Sequence, residues 1–216
     1  MKYIIGNWKA NKNIKEVEEW ANKFIMNYRP IDQITIGICP PSPFLHVLRD
    51  RLEKMQNVFV GAQTISSLES GSFTGEITAK SLAGMVRYAI VGHSERRKHF
   101  LETDSDLSAK VSMAKKYDIE PIYCIRDEKD PIPDGVRFVA YEPVAAIGTG
   151  QNESVDKVLE MKMKLTLPQN CVFIYGGSVN ENNVNEYAAS PEIHGFLIGK
   201  ASLDPVSFLS IATRSK

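Results

Sequence analysis

The fold class is indicated most clearly by the segment of residues 88–125, which reads YAIVGHSERRKHFLETDSDLSAKVSMAKKYDIEPIYCI. Its two ends, residues 88–92 and 121–125, are apolar on consecutive positions, which is typical of strands buried on both faces. Between them one helical stripe is apolar: Leu107, Val111 and Ala114. Thr103 or Asp104 is placed to cap the start of this helix. The segment therefore predicts a strand, a helix and a second, parallel strand.

Six further apolar runs extend this pattern in both directions, at residues 3–7, 34–39, 58–62, 138–142, 172–175 and 195–198. Two more helical stripes lie among them, one formed by Ile14, Val17, Trp20, Ala21, Phe24, Ile25 and Tyr28, and one by Val155, Val158, Leu159 and Leu165. Eight strands alternating with helices, without a linker or a charge block, predict an α/β protein with one (β/α)8 barrel domain over residues 1–216. Periodicity alone leaves an open, doubly wound sheet as the alternative.

The connection between the fifth and sixth strands departs from this pattern. It reads RDEKDPIPDG, residues 126–135, and contains two prolines. A crossover needs about 10–12 residues even with a minimal helix, and proline opposes a helix interior. We therefore predict that the fifth outer helix is missing or reduced to about one turn.

Charge and cysteine content narrow the class of partner. The 26 basic and 26 acidic residues give a formal charge of zero, which favours neither nucleic acid nor an anionic membrane. The cysteines are three, widely spaced and without a Cys-x-x-Cys pair, which indicates reduced thiols in a cytoplasmic protein and no zinc site. The first residues are too short an apolar run for a signal peptide. A small molecule is the expected partner.

Chemically useful side chains follow several predicted strands at the end where barrel active sites lie. They are Asn7-Trp8-Lys9, His93-Ser94-Glu95, Glu142-Pro143, Gly177-Ser178 and Gly199-Lys200. A cation, a histidine, a carboxylate and two glycine turns thus converge on one rim. Because each glycine turn is followed by a helical pattern, both suit an anion held by backbone N–H groups.

Taken together, these motifs resemble the triosephosphate isomerase family over essentially the whole chain. The matching motifs are NWK (7–9), GHSERR (92–97), YEPVAAIGTG (141–150), YGGSV (175–179), and the third loop with Gln63 and SFTGE (72–76). The resemblance implies a TIM barrel that interconverts dihydroxyacetone phosphate and D-glyceraldehyde 3-phosphate through an enediolate, with no metal and no organic cofactor.

The resemblance assigns a role to each matching residue. Glu142 would be the base that moves the proton, His93 a neutral imidazole that donates to a substrate oxygen, and Lys9 a cation facing substrate. Asn7 and Glu95 would support them. Trp8 belongs to the same substrate-binding motif, although we expect it mainly to pack.

Two further groups follow from the family match. The family has a lid that suppresses phosphate loss from the enediolate. The residues that match this lid are Pro143, Val144, Ala145, Ala146, Ile147, Gly148, Thr149 and Gly150. Backbone N–H groups around Gly148, Ser178, Gly199 and Lys200 would bind phosphate.

Oligomeric contacts are implied as well. Gln63, Thr74, Gly75 and Glu76 match the loop through which the family forms a homodimer. Without the fifth helix, barrel wall such as Ile122 or Val139 is expected to be exposed, and large apolar patches find partners. A second interface there would give a tetramer.

Three positions depart from the family. Ala145 stands where tryptophan is usual, Cys124-Ile125-Arg126-Asp127 where Cys-x-Gly-Glu is usual, and Lys200 where many relatives carry glycine. In the family that glutamate contacts the lid tryptophan. Our hypothesis is that the chemistry is intact but the lid is less well anchored. The hypothesis predicts that Ala145→Trp changes turnover or the ratio of isomerised to phosphate-eliminated product, and it fails if both stay the same.

Two other functions remain open at this point. Another phosphosugar-binding barrel enzyme would share the phosphate loops but has no reason to combine Lys9, His93 and Glu142. An inactive paralogue acting as a binding module is suggested only by Ala145 and the shortened connection.

Overall fold

The computed structural model describes residues 1–143 and 152–216. Eight parallel strands close into a barrel in chain order. They are β1 (Lys2–Asn7), β2 (Ile34–Cys39), β3 (Val58–Ala62), β4 (Tyr88–Val91), β5 (Glu120–Ile125), β6 (Phe138–Tyr141), β7 (Val172–Tyr175) and β8 (Gly195–Ile198). Each predicted strand begins and ends within one residue of these bounds. The (β/α)8 prediction is confirmed, and the open sheet is wrong.

Helices of very different length surround the barrel. They are α1 (Ile14–Asn27), α2 (Leu45–Leu52), α3 (Ala79–Leu82), α4 (Ser94–His99), α5 (Asp104–Lys116), α6 (Val155–Lys164), α7 (Val184–Ala188) and α8 (Pro205–Arg214). Asn13 and Thr103 start α1 and α5 with complete capping boxes. Within the described ranges, no helix is long and apolar enough to cross a bilayer.

Alternation along the strands separates the barrel interior from the layer under the helices. Ile5 and Ala140 belong to the apolar cluster inside the barrel, whereas Ile4 belongs to the cluster shared with the helices. Asn7 lies two residues after Ile5, and Glu142 lies two residues after Ala140. The same alternation therefore carries both polar side chains toward the carboxyl mouth of the barrel.

Residues 126–137, all of which the structure describes, contain no helix. The outer helix expected between β5 and β6, which is not the helix labelled α5, is therefore absent as predicted. The expected bare wall is wrong, because Ile122 and Val139 are both fully buried. Ile122 lies inside the barrel. Val139 lies in the outer cluster together with Val136 and Ile132 of the connection. The connection thus covers the wall that a helix usually covers, so the described part of this wall offers no apolar patch for a tetramer interface.

A buried charge network holds this connection in place. The Asp130 carboxylate accepts from the Arg126 backbone N–H at 2.7 Å and from its guanidinium at 2.6 and 3.0 Å. The guanidinium of Arg97, itself buried, lies 3.9 Å from the same carboxylate. Tyr123 on β5 donates to the Pro131 carbonyl. These contacts fix the connection without helical hydrogen bonds.

Replacing Asp130 with asparagine is expected to lower the free energy of unfolding by about 2 kcal/mol at pH 7, because buried Arg97 loses a counter-charge. Burial would raise the pKa of Asp130, but hydrogen bonds from Arg126 and the charge of Arg97 hold it below the ordinary 3.8. The stabilisation is therefore fully present above about pH 4 and is lost as the pH falls through the lowered pKa. Urea unfolding of both proteins at several pH values measures this.

The matched control is Asp134→Asn, since Asp134 is exposed in the same connection. We expect it to leave stability unchanged. A gap between the wild type and Asp130→Asn that stays constant into strong acid would contradict the proposed charge network.

Candidate active site

Glu142 is the most buried carboxylate of the candidate site, with 1% of its surface exposed. One carboxylate oxygen accepts from the Ser94 backbone N–H at 3.0 Å, and the other lies 3.0 Å from Nε2 of His93. The Cys124 thiol also hydrogen-bonds with Glu142, and burial followed by this carboxylate raises the pKa of the thiol well above its ordinary value. Cys124 therefore stays protonated beside the carboxylate. To remove a proton from a substrate carbon, one of the Glu142 carboxylate oxygens must give up its present hydrogen-bond donor and contact the substrate instead.

His93 lies at the start of α4. Its Nδ1 accepts from the Glu95 backbone N–H at 3.2 Å, which leaves the ring proton on Nε2. A neutral imidazole of this tautomer donates toward Glu142 now and can donate to a substrate oxygen. The chain turns into this position at Gly92, whose φ of 76° favours glycine.

Lys9 brings a cation to the same mouth. Its Nζ lies 2.5 Å from a Glu95 oxygen, and the second Glu95 oxygen lies 3.7 Å from Nδ1 of His93. Burial would raise the pKa of Glu95, but the hydrogen bond from Lys9 and the charges nearby lower it. Lys9 contacts the Glu95 carboxylate, the Glu95 backbone N–H donates to His93, and His93 contacts Glu142, so the four residues form one continuous row.

The backbone of Lys9 is held in an unusual conformation, with a φ of 51°. Non-glycine residues adopt it only when their surroundings enforce it, and such residues cluster at functional sites. Asn7 accepts from the Lys9 backbone N–H at 3.1 Å, and the Gln63 side chain donates to the Lys9 carbonyl at 2.9 Å. Asn7 and Gln63 therefore fix the direction in which the lysine side chain leaves the backbone.

Gly199 and Gly176 lie against this row. A methyl group at Gly199 would come within 3.7 Å of Cε of Lys9. One at Gly176 would come within 3.0 Å of Cγ of Glu142 and 3.2 Å of the Tyr141 carbonyl. The sequence places Gly176 only in a motif; its packing against Glu142 depends on β6 and β7 being neighbours.

Replacing Gly176 with alanine is therefore expected to displace the Glu142 side chain by several tenths of an ångström. We expect kcat for the reaction proposed below to fall about tenfold, with KM little changed, because misplacement of a reacting group is costly. Steady-state kinetics on protein shown to be folded by circular dichroism measures this. A variant with wild-type kcat would show that Glu142 tolerates the shift.

The other predicted residues occupy different surroundings. The Trp8 indole is fully buried and packs edge-on against Trp20 at 4.8 Å, as expected of a packing residue. Its Nε1 has no hydrogen-bond partner within the described part of the chain. Ser178 is half-buried and follows β7, and the helical stretch predicted after it is α7, which begins at Val184. Exposed Lys200 begins the 3-10 helix Lys200–Leu203 directly after Gly199.

Of the predicted lid, only Pro143 falls in the described residues, and it is buried. Val144, Ala145, Ala146, Ile147, Gly148, Thr149 and Gly150 lie outside them. The loop that carries Thr74, Gly75 and Glu76 is exposed, together with Phe73. Gln63, predicted in the same group, donates instead to the Lys9 carbonyl. A separate cavity of about 520 Å³ lies at the amino ends of β3 and β4 and includes none of these residues.

The barrel is closed, and a lysine ammonium, a neutral imidazole and a buried carboxylate lie at its carboxyl mouth. This arrangement is typical of (β/α)8 barrel enzymes. The family model described as triosephosphate isomerase matches residues 2–135 and 133–215. Proteins named triosephosphate isomerase from Mesomycoplasma hyopneumoniae and Aquifex aeolicus are each 35% identical to this chain. The first alignment covers 99% of both chains, and the second covers 96% of this chain and 97% of the relative. One from Carboxydothermus hydrogenoformans is 32% identical over 99% of this chain and 98% of its own. The chain belongs to the triosephosphate isomerase family.

Proposed function

We propose that this chain interconverts dihydroxyacetone phosphate and D-glyceraldehyde 3-phosphate by proton transfer. The observation that carries the proposal is the row of contacts from Lys9 through Glu95 and His93 to Glu142 at one mouth of the barrel. Each group has one task in an isomerisation through an enediolate, and nothing favours the alternative functions.

The reaction divides the work among three side chains. Glu142 takes a proton from the carbon beside the carbonyl and returns it to the neighbouring carbon. The Nε2–H of His93 donates to the oxygens of the enediolate and passes the hydroxyl proton from one of them to the other, and the ammonium of Lys9 stabilises the negative charge that develops there. Because Glu142 is buried, few water molecules compete with substrate for its carboxylate.

The phosphate would be held at the glycine turns of the same mouth. Backbone N–H groups near Ser178, Gly199 and Lys200 are the proposed ligands, and Gly148 is included from the family match. The position of Gly199 beside Cε of Lys9 supports this assignment, because the phosphate would then lie close to the ammonium. Closure of residues 143–150 over the substrate belongs to the same proposal.

A homodimer formed through the loop of Thr74, Gly75 and Glu76 is the proposed assembly. The exposure of this loop and of Phe73, at 45% of its surface, supports an interface there. Light scattering on a size-exclusion column should give twice the mass of the chain; a monomer mass would contradict the proposal. We also place the protein in the cytoplasm, supported by its three free cysteines, all within the described ranges.

A coupled assay with glyceraldehyde 3-phosphate tests the activity. Formation of dihydroxyacetone phosphate without added metal or cofactor is expected. Binding without turnover would favour the inactive paralogue, and turnover of a different phosphosugar alone would favour another barrel enzyme.

A further inference from the structure

Glu153 has a set of contacts that the proposed chemistry leaves unexplained. Its carboxylate accepts from the Tyr141 hydroxyl at 3.0 Å. Its backbone N–H donates to the Tyr175 hydroxyl at 3.3 Å, and its carbonyl accepts from the Tyr187 hydroxyl at 2.6 Å. Three tyrosines from β6, β7 and α7 therefore hold one residue.

These tyrosines form a rigid support. All three are at most 3% exposed, and the rings of Tyr175 and Tyr187 stack at 4.8 Å. Burial, followed by the hydrogen bond with Glu153, raises the pKa of Tyr141, so its hydroxyl remains a donor throughout the working range. A charged acceptor makes this hydrogen bond stronger than a neutral one.

Tyr141 directly precedes Glu142. Its carbonyl accepts from the Gly176 N–H at 2.8 Å, and the Glu142 N–H donates to the Ile125 carbonyl at 2.8 Å. The backbone at the end of β6 is thus fixed by both neighbouring strands. The Tyr141 ring, which belongs to the cluster under the helices, is fixed by Glu153.

We propose that Glu153 is a positioning residue for the reaction, acting through Tyr141 to aim the Glu142 carboxylate. The inference rests on the proposed isomerase function. The bond ties the residue before Glu142 to a residue 12 positions farther along the chain, so the contact can only form when both segments are in place. The side chain supplies this link, whereas the contacts to Tyr175 and Tyr187 use only the backbone of Glu153.

The test compares Glu153→Ala, Glu153→Gln, Tyr141→Phe and the double variant Glu153→Ala with Tyr141→Phe. We expect Glu153→Ala to lower kcat about tenfold with KM within about twofold, because a misaimed base slows proton transfer. The fraction of enediolate lost as free phosphate should rise, since reprotonation is slower. Glutamine should restore much of the rate, because its amide oxygen can accept from Tyr141. The double variant should be no slower than the slower single variant, because both changes remove the same bond.

The matched controls are Glu160→Ala, an exposed glutamate on α6, and Tyr28→Phe, whose hydroxyl donates to the Gln56 carbonyl at the opposite end of the barrel. Both should keep the wild-type kcat and product ratio. A purely structural role for Glu153 would lower the folded fraction and kcat in proportion, with the product ratio unchanged, and would overturn the proposal. Independent, additive effects of the two single changes would also overturn it. If the wild type itself does not isomerise triose phosphates, the proposed function has failed instead.

Discussion

Replacing Glu142 with glutamine is expected to lower kcat about 10³-fold with KM changed only slightly. Glutamine keeps the size of the side chain and can still accept from the Ser94 N–H, but its amide cannot take up a proton. General base catalysis contributes about 10²–10⁴-fold, so a loss near the middle of that range is expected. Steady-state kinetics in both directions of the isomerisation measures it.

The control for this change is Glu160→Gln, which alters an exposed glutamate outside the site. Thermal unfolding of both variants should show that they remain folded, because the Glu142 side chain loses only its charge. A Glu142→Gln variant within about threefold of wild-type kcat would show that another group removes the proton.

Replacing Lys9 with methionine is expected to lower kcat/KM at least 10²-fold. The change removes the ammonium 2.5 Å from Glu95 and leaves that half-buried carboxylate without its cation. Loss of one group that stabilises developing charge costs about 10²–10³-fold in kcat. A weaker hold on the substrate phosphate would add an increase in KM.

Lys15→Met is the matched control, because Lys15 is exposed on α1 and has the same charge. If Lys9→Met and Lys15→Met lower kcat/KM equally, the effect comes from net charge and attraction of substrate over distance. A loss confined to Lys9→Met supports a local role. Inorganic phosphate as a competitive inhibitor should bind the Lys9 variant more weakly, which separates phosphate contact from stabilisation of the enediolate.

The strands were predictable because their apolar runs are continuous and bounded by turns. The absence of the fifth helix was predictable for a local reason as well, since two prolines in ten residues oppose a helix. The burial of Val139 under the connection between β5 and β6 was not predictable, because a network of ion pairs holds that connection in place. Asp130 and Arg97 are 33 residues apart, and a sequence pattern does not show that they meet.

The residues of the candidate site were likewise predictable only in part. Strand-end position and the family resemblance identified Lys9, His93 and Glu142, and the structure brings all three together through Glu95. Gly176 and Glu153 were missed as site residues. Gly176 matters because the neighbouring Glu142 side chain leaves little room for a larger residue. Glu153 matters because hydroxyl groups from three elements meet there. Both depend on tertiary contacts, which a sequence pattern does not show. The distance from Ser178 to α7 was not predictable, because residues 179–180 are irregular and residues 181–183 form a turn before the helix begins at Val184.

One carboxylate, one neutral imidazole and one ammonium are proposed to act on a single three-carbon phosphoester. Incubating the protein with glyceraldehyde 3-phosphate in D2O and following the products by proton NMR tests this proposal. We expect dihydroxyacetone phosphate with deuterium on the carbon beside its carbonyl, formed about 10³-fold more slowly by Glu142→Gln. Absence of both product and deuterium, or incorporation that Glu142→Gln leaves undiminished, would contradict it.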